Sequence, residues 1–599
     1  MIAINRKMRL LNKLKSPSDI KKFSVRELET LAIEVRTFLI KTIAKNGGHL
    51  ASNLGTVELS IALHYVYNSP KDKLVWDVGH QAYTHKLLTG RYGQFSNIRK
   101  MGGISGYLKI AESEHDAFGA GHAGTAVSAA LGMAEARDLK GEDNEVIAIL
   151  GDGSLTNGLT YEGINNIGER SSNITLVLND NKWSISKNVG AMAKYLARLS
   201  SIHISEDPKT DFESIFHALG FTYFGPIEGH NTQKLINTFK LAKETKGPKL
   251  IHVITTKGSG YEYSELSPDK FHFTSPFILE SGKLEKKSKG MTYSEAFGNA
   301  MIRLAKKDKT IVGITAAMPS GTGLEAFAKE FPLRFFDTGI AESHAVTFAG
   351  GLAISGMKPV VAIYSSFLQR AYDQILHDIC LQKLPVVFGV DRAGIVGSDG
   401  PTHHGLFDLS YLRNIPCLSI LAPKDENELG HMLSSALKAE RPVAIRYPRG
   451  EGYGVKIDER FKNIPIGKAE KLLSGKDVAI LAVGTMVYPA VEAAQKLAES
   501  DISATVYNVR SIKPIDQEMI TSAIKIGNVI TVEENVLDGG FGSSILEEVE
   551  RRNAKGVNIK RIGISGFVEH GEISELKEKH GLTAENIFQK ALESVKTKS

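Results

Sequence analysis

The stretch VIAILGDGS, residues 146–154, runs five apolar residues straight into an aspartate held between two glycines. An apolar run of this length, closed by a turn signal, reads as a strand buried on both faces of a parallel sheet. Downstream, ITLVLNDN (174–181) repeats the design, with Asn179-Asp180-Asn181 at its end. Residues just past parallel strands gather at the carboxyl edge of a sheet, where α/β proteins bind ligands. Asp152 and Asn181 can therefore meet across 29 positions of sequence. One carboxylate and one amide oxygen make a poor closed metal cage, but they suit Mg²⁺, which completes its octahedron with phosphate and water. Gly151 and Gly153 would let backbone N–H groups approach a diphosphate. Either motif alone reads equally well as an ordinary turn. Together, each after its own strand, they favour a ligand site.

Working outward, apolar runs alternate with helix-length segments, which predicts an α/β protein with largely parallel sheets flanked by helices. Strands are expected at Val146–Leu150, Ile174–Leu178, Leu250–Ile254, Pro359–Tyr364, Pro385–Val390 and Val478–Val483. The charged segment ESGKLEKKSKG (280–290) reads as a linker, and a fresh pattern starts before Val478. Three domains follow, at about 1–290, 291–470 and 475–599. With 42% hydrophobic and 23% charged residues the composition is that of a soluble globular protein. A net charge of +6 on 599 residues, with no dense basic block, gives no case for nucleic acid. Two cysteines exclude a disulfide scaffold or zinc cluster and suit a reducing compartment. No apolar run is long enough for a membrane span, and the basic N-terminus lacks an apolar core. A cytoplasmic enzyme is the expectation.

A second chemistry-bearing stretch is DRAGIVGSDGPTHHG (391–405), which holds Arg392, Asp399, His403 and His404 on a glycine-punctuated run. A metal site, an anion site with proton-transfer groups, and a plain polar turn all fit it. In FFDTGIAESHAVTFAGGLA, Glu342 follows a candidate strand and opens an Ala/Gly-rich helix. By itself it reads as a first-turn acid that complements the helix dipole.

GDG followed by an NDN-type loop is similar to the diphosphate signature of thiamine diphosphate enzymes, and its place before the glutamate resembles the transketolase-like order. Longer strings resemble the 1-deoxy-D-xylulose-5-phosphate synthase family. They include GGHLASNLGTVELSIALHYVYNSPKDKLVWDVGHQAYTHKLLTGR, ESEHDAFGAGHAGTAVSAALGMA, AIYSSFLQRAYDQILHD and AIRYPRG. The resemblance spans residues 9–599. It implies a decarboxylative condensation of pyruvate with D-glyceraldehyde 3-phosphate, using thiamine diphosphate and Mg²⁺. The product, 1-deoxy-D-xylulose 5-phosphate, feeds isoprenoid, thiamine and pyridoxal biosynthesis, and the family acts as a homodimer.

Carried over residue by residue, the resemblance makes Asp152 and Asn181 the Mg²⁺ ligands. His80, Gly121, His122, Ala123, Gly153, Ser154, Asn181, Lys257 and Tyr261 match cofactor contacts, and Glu342 matches the partner of the aminopyrimidine. His49, His272, Tyr364, Arg370, Asp399 and His403 match residues lining the reaction centre, and Arg392 and Arg449 the pair that holds the acceptor's phosphate. Two converging guanidinium forks suit phosphate independently of any resemblance. An anion site with proton donors is the better reading of 391–405: on extended backbone His403 and His404 would point apart, and no cysteine stands near to complete a zinc site. His64, His85 and His377 fall inside helical patterns and read as structural.

Three departures stand out. The segment between Val189 and Phe212 is short, Ala123-Gly124 replaces the family's serine pair, and Leu108 stands where a proline is usual. The rival readings are a transketolase with a ketose phosphate donor, and a catalytically silent thiamine diphosphate-binding paralogue.

Overall fold

The computed structural model describes residues 8–184, 187–200, 214–285 and 290–596. The chain forms two compact units, Met1–Lys287 with Gly339–Ala341, and Ser288–Thr338 with Glu342–Ser599.

The first unit is built on five parallel strands: β1 (Lys73–Trp76), β2 (Val146–Gly151), β3 (Thr175–Asp180), β4 (Thr222–Glu228) and β5 (Lys249–Ile254). Their order is β1-β2-β3-β5-β4. The apolar run of β2 divides by alternation, as a strand covered on both faces must. Ile147 and Ile149 enter one core with Leu39, Leu63 and Phe239, while Val146, Ala148 and Leu150 enter the other with Ala130, Ile164 and Ile167. Each of the larger of these side chains, valine and upward, contributes about 1.5–3 kcal/mol by leaving water. The helix Val25–Asn46 starts at a Ser24/Glu27 capping box and stops at Gly47, whose φ of +72° turns the chain out.

The second unit holds two sheets. One contains β6 (Ile311–Thr315), β7 (Phe335–Asp337), β8 (Lys358–Tyr364), β9 (Val387–Asp391), β10 (Ser419–Leu421) and β11 (Val443–Arg446). The other contains β12 (Glu470–Leu473), β13 (Val478–Ala482), β14 (Ala504–Asn508), β16 (Asn528–Val536) and β17 (Asn558–Ile564), in the order β12-β14-β13-β16-β17. Between β14 and β16 in sequence, β15 (Ser511–Lys513) leaves that sheet and pairs antiparallel with β10. The first of these sheets therefore runs β15-β10-β11-β9-β8-β6-β7. Apart from β15 and the edge strand β12, every pairing is parallel.

All six expected strands form, with ends shifted by one or two residues; the Pro385 strand, for instance, begins at Val387. Part of the expected linker (286–289) and the core of the shortened segment (201–213) lie outside the described residues. No helix of the described residues is long and apolar enough to cross a membrane.

Candidate active site

In the first unit the carboxyl ends of β2 and β3 meet. Asp152, the first residue past β2, accepts N–H groups through both oxygens: Gly153 on Oδ1 (3.0 Å), Asn181 (3.1 Å) and Lys182 (2.6 Å) on Oδ2. The Asn181 Oδ1 accepts from Trp183 N–H at 3.1 Å, which orients its amide. Burial and the neighbouring Asp180 carboxylate push the Asp152 acid well up. A divalent cation at this oxygen set would reverse that penalty. Among the described residues no group of three His, Cys, Asp or Glu side chains forms a cage. The donor set thus fits a hard cation whose shell is completed by phosphate and neutral oxygens. The Gly153 N–H donates to Asp152 Oδ1, and its missing Cβ makes room for Ser184.

Ser184 leads to the rest of the pocket. Lys257 donates to the Ser184 carbonyl and lies 2.9 Å from His272 Nδ1. The His272 ring stands 5.0 Å from His80 and 5.5 Å from His49, and His49 also abuts Tyr107 and Phe273. Burial pulls Lys257 down to about 7, and burial with the Lys257 charge holds His272 well below the ordinary imidazole value. Neither contact of Lys257 is a carboxylate, so this buried ammonium fits an anionic ligand group. The Tyr261 hydroxyl, by contrast, donates to Leu279 O at 2.9 Å.

Gly121-His122-Ala123 leads into the helix Thr125–Lys140. Here Asp77, at the end of β1, is the organising residue. It accepts from Gly124 N–H (2.9 Å), Ala126 N–H (3.1 Å) and Ser154 Oγ (2.5 Å). The Gly124 N–H is therefore held by Asp77. Val78, next in sequence, has φ +59°, a conformation costing a β-branched residue about 1–3 kcal/mol. It swings the chain towards His80.

The second unit places its candidate residues just past the ends of strands of one sheet. Glu342 opens the helix Glu342–Ile354 after β7, Tyr364 closes β8, Arg392 follows β9 and Arg449 lies just past β11. Glu342 is buried, and burial raises its acid while Arg370 draws it back. The Arg392 guanidinium lies 4.3 Å from the Tyr364 ring and its Nη1 bonds Ser294 Oγ (2.7 Å) and Asp391 (2.9 Å). Tyr364 stacks on Phe367 (5.6 Å), which meets His403 edge-on (5.3 Å). Arg449 Nη1 reaches Val396 O (2.9 Å) and Asp399 (3.3 Å).

The loop 391–405 is not extended at its histidines: Gly400–Thr402 forms a 3₁₀ turn leading into His403. The two rings still part company. His403 Nδ1 pairs with Thr402 Oγ1 (2.8 Å), whereas buried His404 accepts from Val396 N–H (3.0 Å) and donates to Glu569 O (2.9 Å). Gly394, Gly397 and Gly400 all have positive φ and pack against Glu534, Ile573 and His570. Close packing is what these glycines provide. His64 and His85 bond one another (2.9 Å) in the core, where His85 also bonds Asp116 (3.2 Å), and His377 pairs with Asp378 at the surface.

Residues 11–215 and 203–255 match the family model described as 1-deoxy-D-xylulose-5-phosphate synthase. Residues 289–453 match the transketolase pyrimidine-binding domain and 467–587 the transketolase C-terminal domain. The chain is 52% identical to the 1-deoxy-D-xylulose-5-phosphate synthase of Halothermothrix orenii, over 98% of this chain and 97% of that one. The chain belongs to the 1-deoxy-D-xylulose-5-phosphate synthase family. It is also 50% identical to synthase 1 of Geobacter sulfurreducens (96% of each chain) and 50% identical to the synthase of Heliobacterium modesticaldum (98% and 95%).

Packing leaves no room for a side chain at Gly124. Gly124 has φ +87°, and a Cβ there would overlap Asn157 Oδ1. Asn157 caps the helix Gly158–Arg170 through Leu159 N–H (3.1 Å) and donates to Ile340 O (3.0 Å). The asparagine occupies the space a serine side chain would need.

Sequence reading missed Asp77, Asn157 and the Glu534 contact. Asp77 had a visible signal, because it follows the apolar strand KLVW just as Asp152 follows VIAIL. Asn157 and Glu534 act through tertiary contacts, which no spacing announces.

Proposed function

We propose that the protein joins pyruvate to D-glyceraldehyde 3-phosphate with loss of CO₂, yielding 1-deoxy-D-xylulose 5-phosphate, and that it uses thiamine diphosphate and Mg²⁺. The observation that carries this reading is the row of strand ends bearing Glu342, Tyr364 and Arg392, in a chain about half identical to such synthases end to end. When bound, thiamine diphosphate supplies the electron sink that carries the charge left by CO₂.

The chain's residues supply binding and proton control. Asp152 and Asn181 would hold Mg²⁺, with Lys257, His80, Ser154 and the Gly121–Ala123 turn around the diphosphate. Glu342, its acidity suppressed by burial, would hydrogen-bond a ring nitrogen of the aminopyrimidine. His49, His272 and His403 would neutralise charge that develops on the substrate oxygens. Arg392 and Arg449 would grip the acceptor's phosphate. A homodimer is part of the same reading, and sedimentation equilibrium tests it.

The deciding assay supplies the purified protein with Mg²⁺, thiamine diphosphate and pyruvate. CO₂ release that depends on glyceraldehyde 3-phosphate, with deoxyxylulose phosphate formed, is the expected result. Turnover of a ketose phosphate donor instead would favour a transketolase.

A further inference from the structure

Glu534 lies near the carboxyl end of β16 and is only 2% exposed. Its neighbour Glu533 faces the other way and accepts the Phe541 and Gly542 N–H groups at the start of a helix (2.6 and 2.7 Å). Glu534 instead addresses the loop 391–405. Its Oε1 accepts from Ile395 N–H (2.8 Å), and its Oε2 takes Thr485 Oγ1 (2.6 Å) and Lys577 Nζ (3.1 Å). Gly394 comes so near that a Cβ would stand 2.5 Å from the Glu534 carboxyl carbon. A carboxylate this deep costs several kcal/mol unless its oxygens are satisfied, so its retention calls for a purpose beyond filling space.

The position of Ile395 supplies that purpose. Arg392 lies three residues before it, and Val396, the residue after it, gives its carbonyl to Arg449 Nη1 (2.9 Å). The Val396 N–H goes to His404 (3.0 Å). Arg446 of β11 adds a bond to the Glu534 carbonyl (3.1 Å). A single buried charge thus fixes the peptide that separates the two guanidinium groups.

We propose that Glu534 is a positioning residue for the acceptor's phosphate: by holding the Ile395 peptide it sets the spacing of Arg392 and Arg449. The third sheet thereby tunes the affinity for the phosphorylated acceptor without touching it. This rests on the assignment of those arginines under Proposed function.

The test measures kcat and both KM values for wild type, Glu534→Gln and Lys577→Met. Lys577 is a quarter exposed, so its replacement reports even where the buried variant fails to fold. We expect KM for glyceraldehyde 3-phosphate to rise about tenfold in Glu534→Gln and less in Lys577→Met, since charge-assisted bonds are lost. The KM for pyruvate and kcat at saturating acceptor should stay within about twofold. An unchanged acceptor KM in both variants, or equal losses in pyruvate KM and kcat, overturns the proposal. A wild-type protein without pyruvate-dependent product overturns the functional reading instead, which keeps the two failures apart.

Discussion

Arg370 Nη1 stands 3.7 Å from Glu342 Oε2, too long for a hydrogen bond and near enough to act on its charge. Burial raises the glutamate's pKa and this guanidinium opposes it. Replacing Arg370 with methionine should therefore raise it further. If the protonated carboxyl is the working form, the alkaline limb of kcat/KM for pyruvate moves to higher pH. An unmoved limb refutes the coupling. Glu342→Gln should lose about 10²–10⁴-fold in turnover with the fold intact by circular dichroism.

Removing Asp77 strands three donors at once: the N–H groups of Gly124 and Ala126 and the hydroxyl of Ser154. Asp77→Ala should cost about 3 kcal/mol or more, read as a lowered melting temperature. It should also weaken thiamine diphosphate binding, measured by calorimetric titration. A variant with wild-type melting and affinity would show that Asp77 organises nothing.

Gly124→Ser adds a side chain at a site where Asn157 blocks it. The single variant should be destabilised, both by overlap and by a left-handed φ that costs a side chain about 1–2 kcal/mol. Adding Asn157→Ala should recover the overlap part only, giving a coupling of about 1 kcal/mol or more in a double-mutant cycle. Additive melting shifts would mean that the two positions do not compete.

His64 and His85 lie fully buried, and burial holds both below the ordinary imidazole pKa. As pH falls below about 6.5, the unfolded chain takes up protons that the folded chain refuses. Stability therefore declines from that point towards acid. Melts between about pH 7.5 and 5.5 should show the fall, with a gentler slope in His64→Gln. Equal slopes would place the acid sensitivity elsewhere.

Arg392→Met should raise KM for glyceraldehyde 3-phosphate by about 10–100-fold while the KM for pyruvate holds, because only the acceptor carries phosphate. A matching rise for both substrates would remove Arg392 from the phosphate.

Much of this molecule was legible because its chemistry sits where strands end. VIAIL and ITLVL announce buried strands by composition, and their polar termini mark the edge at which Asp152 and Asn181 are joined. Glu342, Tyr364 and Arg392 follow the same rule. What escaped was detail that depends on other parts of the fold. No spacing shows that Asp77 takes the Gly124 N–H, or that Glu534, His570 and Ile573 pack against the glycines of 391–405. The turn at Gly400–Thr402 overrode the extended backbone expected for a stretch without helical period.

The short strand β15 carries one more implication. It closes the edge of a sheet that residues 311–446 otherwise build, and it pairs there antiparallel to β10. The last fifth of the chain is thus no detachable module. A chimera that borrowed it from a relative would inherit the seam along with the cargo: mismatched partners for β10 would leave raw backbone at an open border, inviting aggregation.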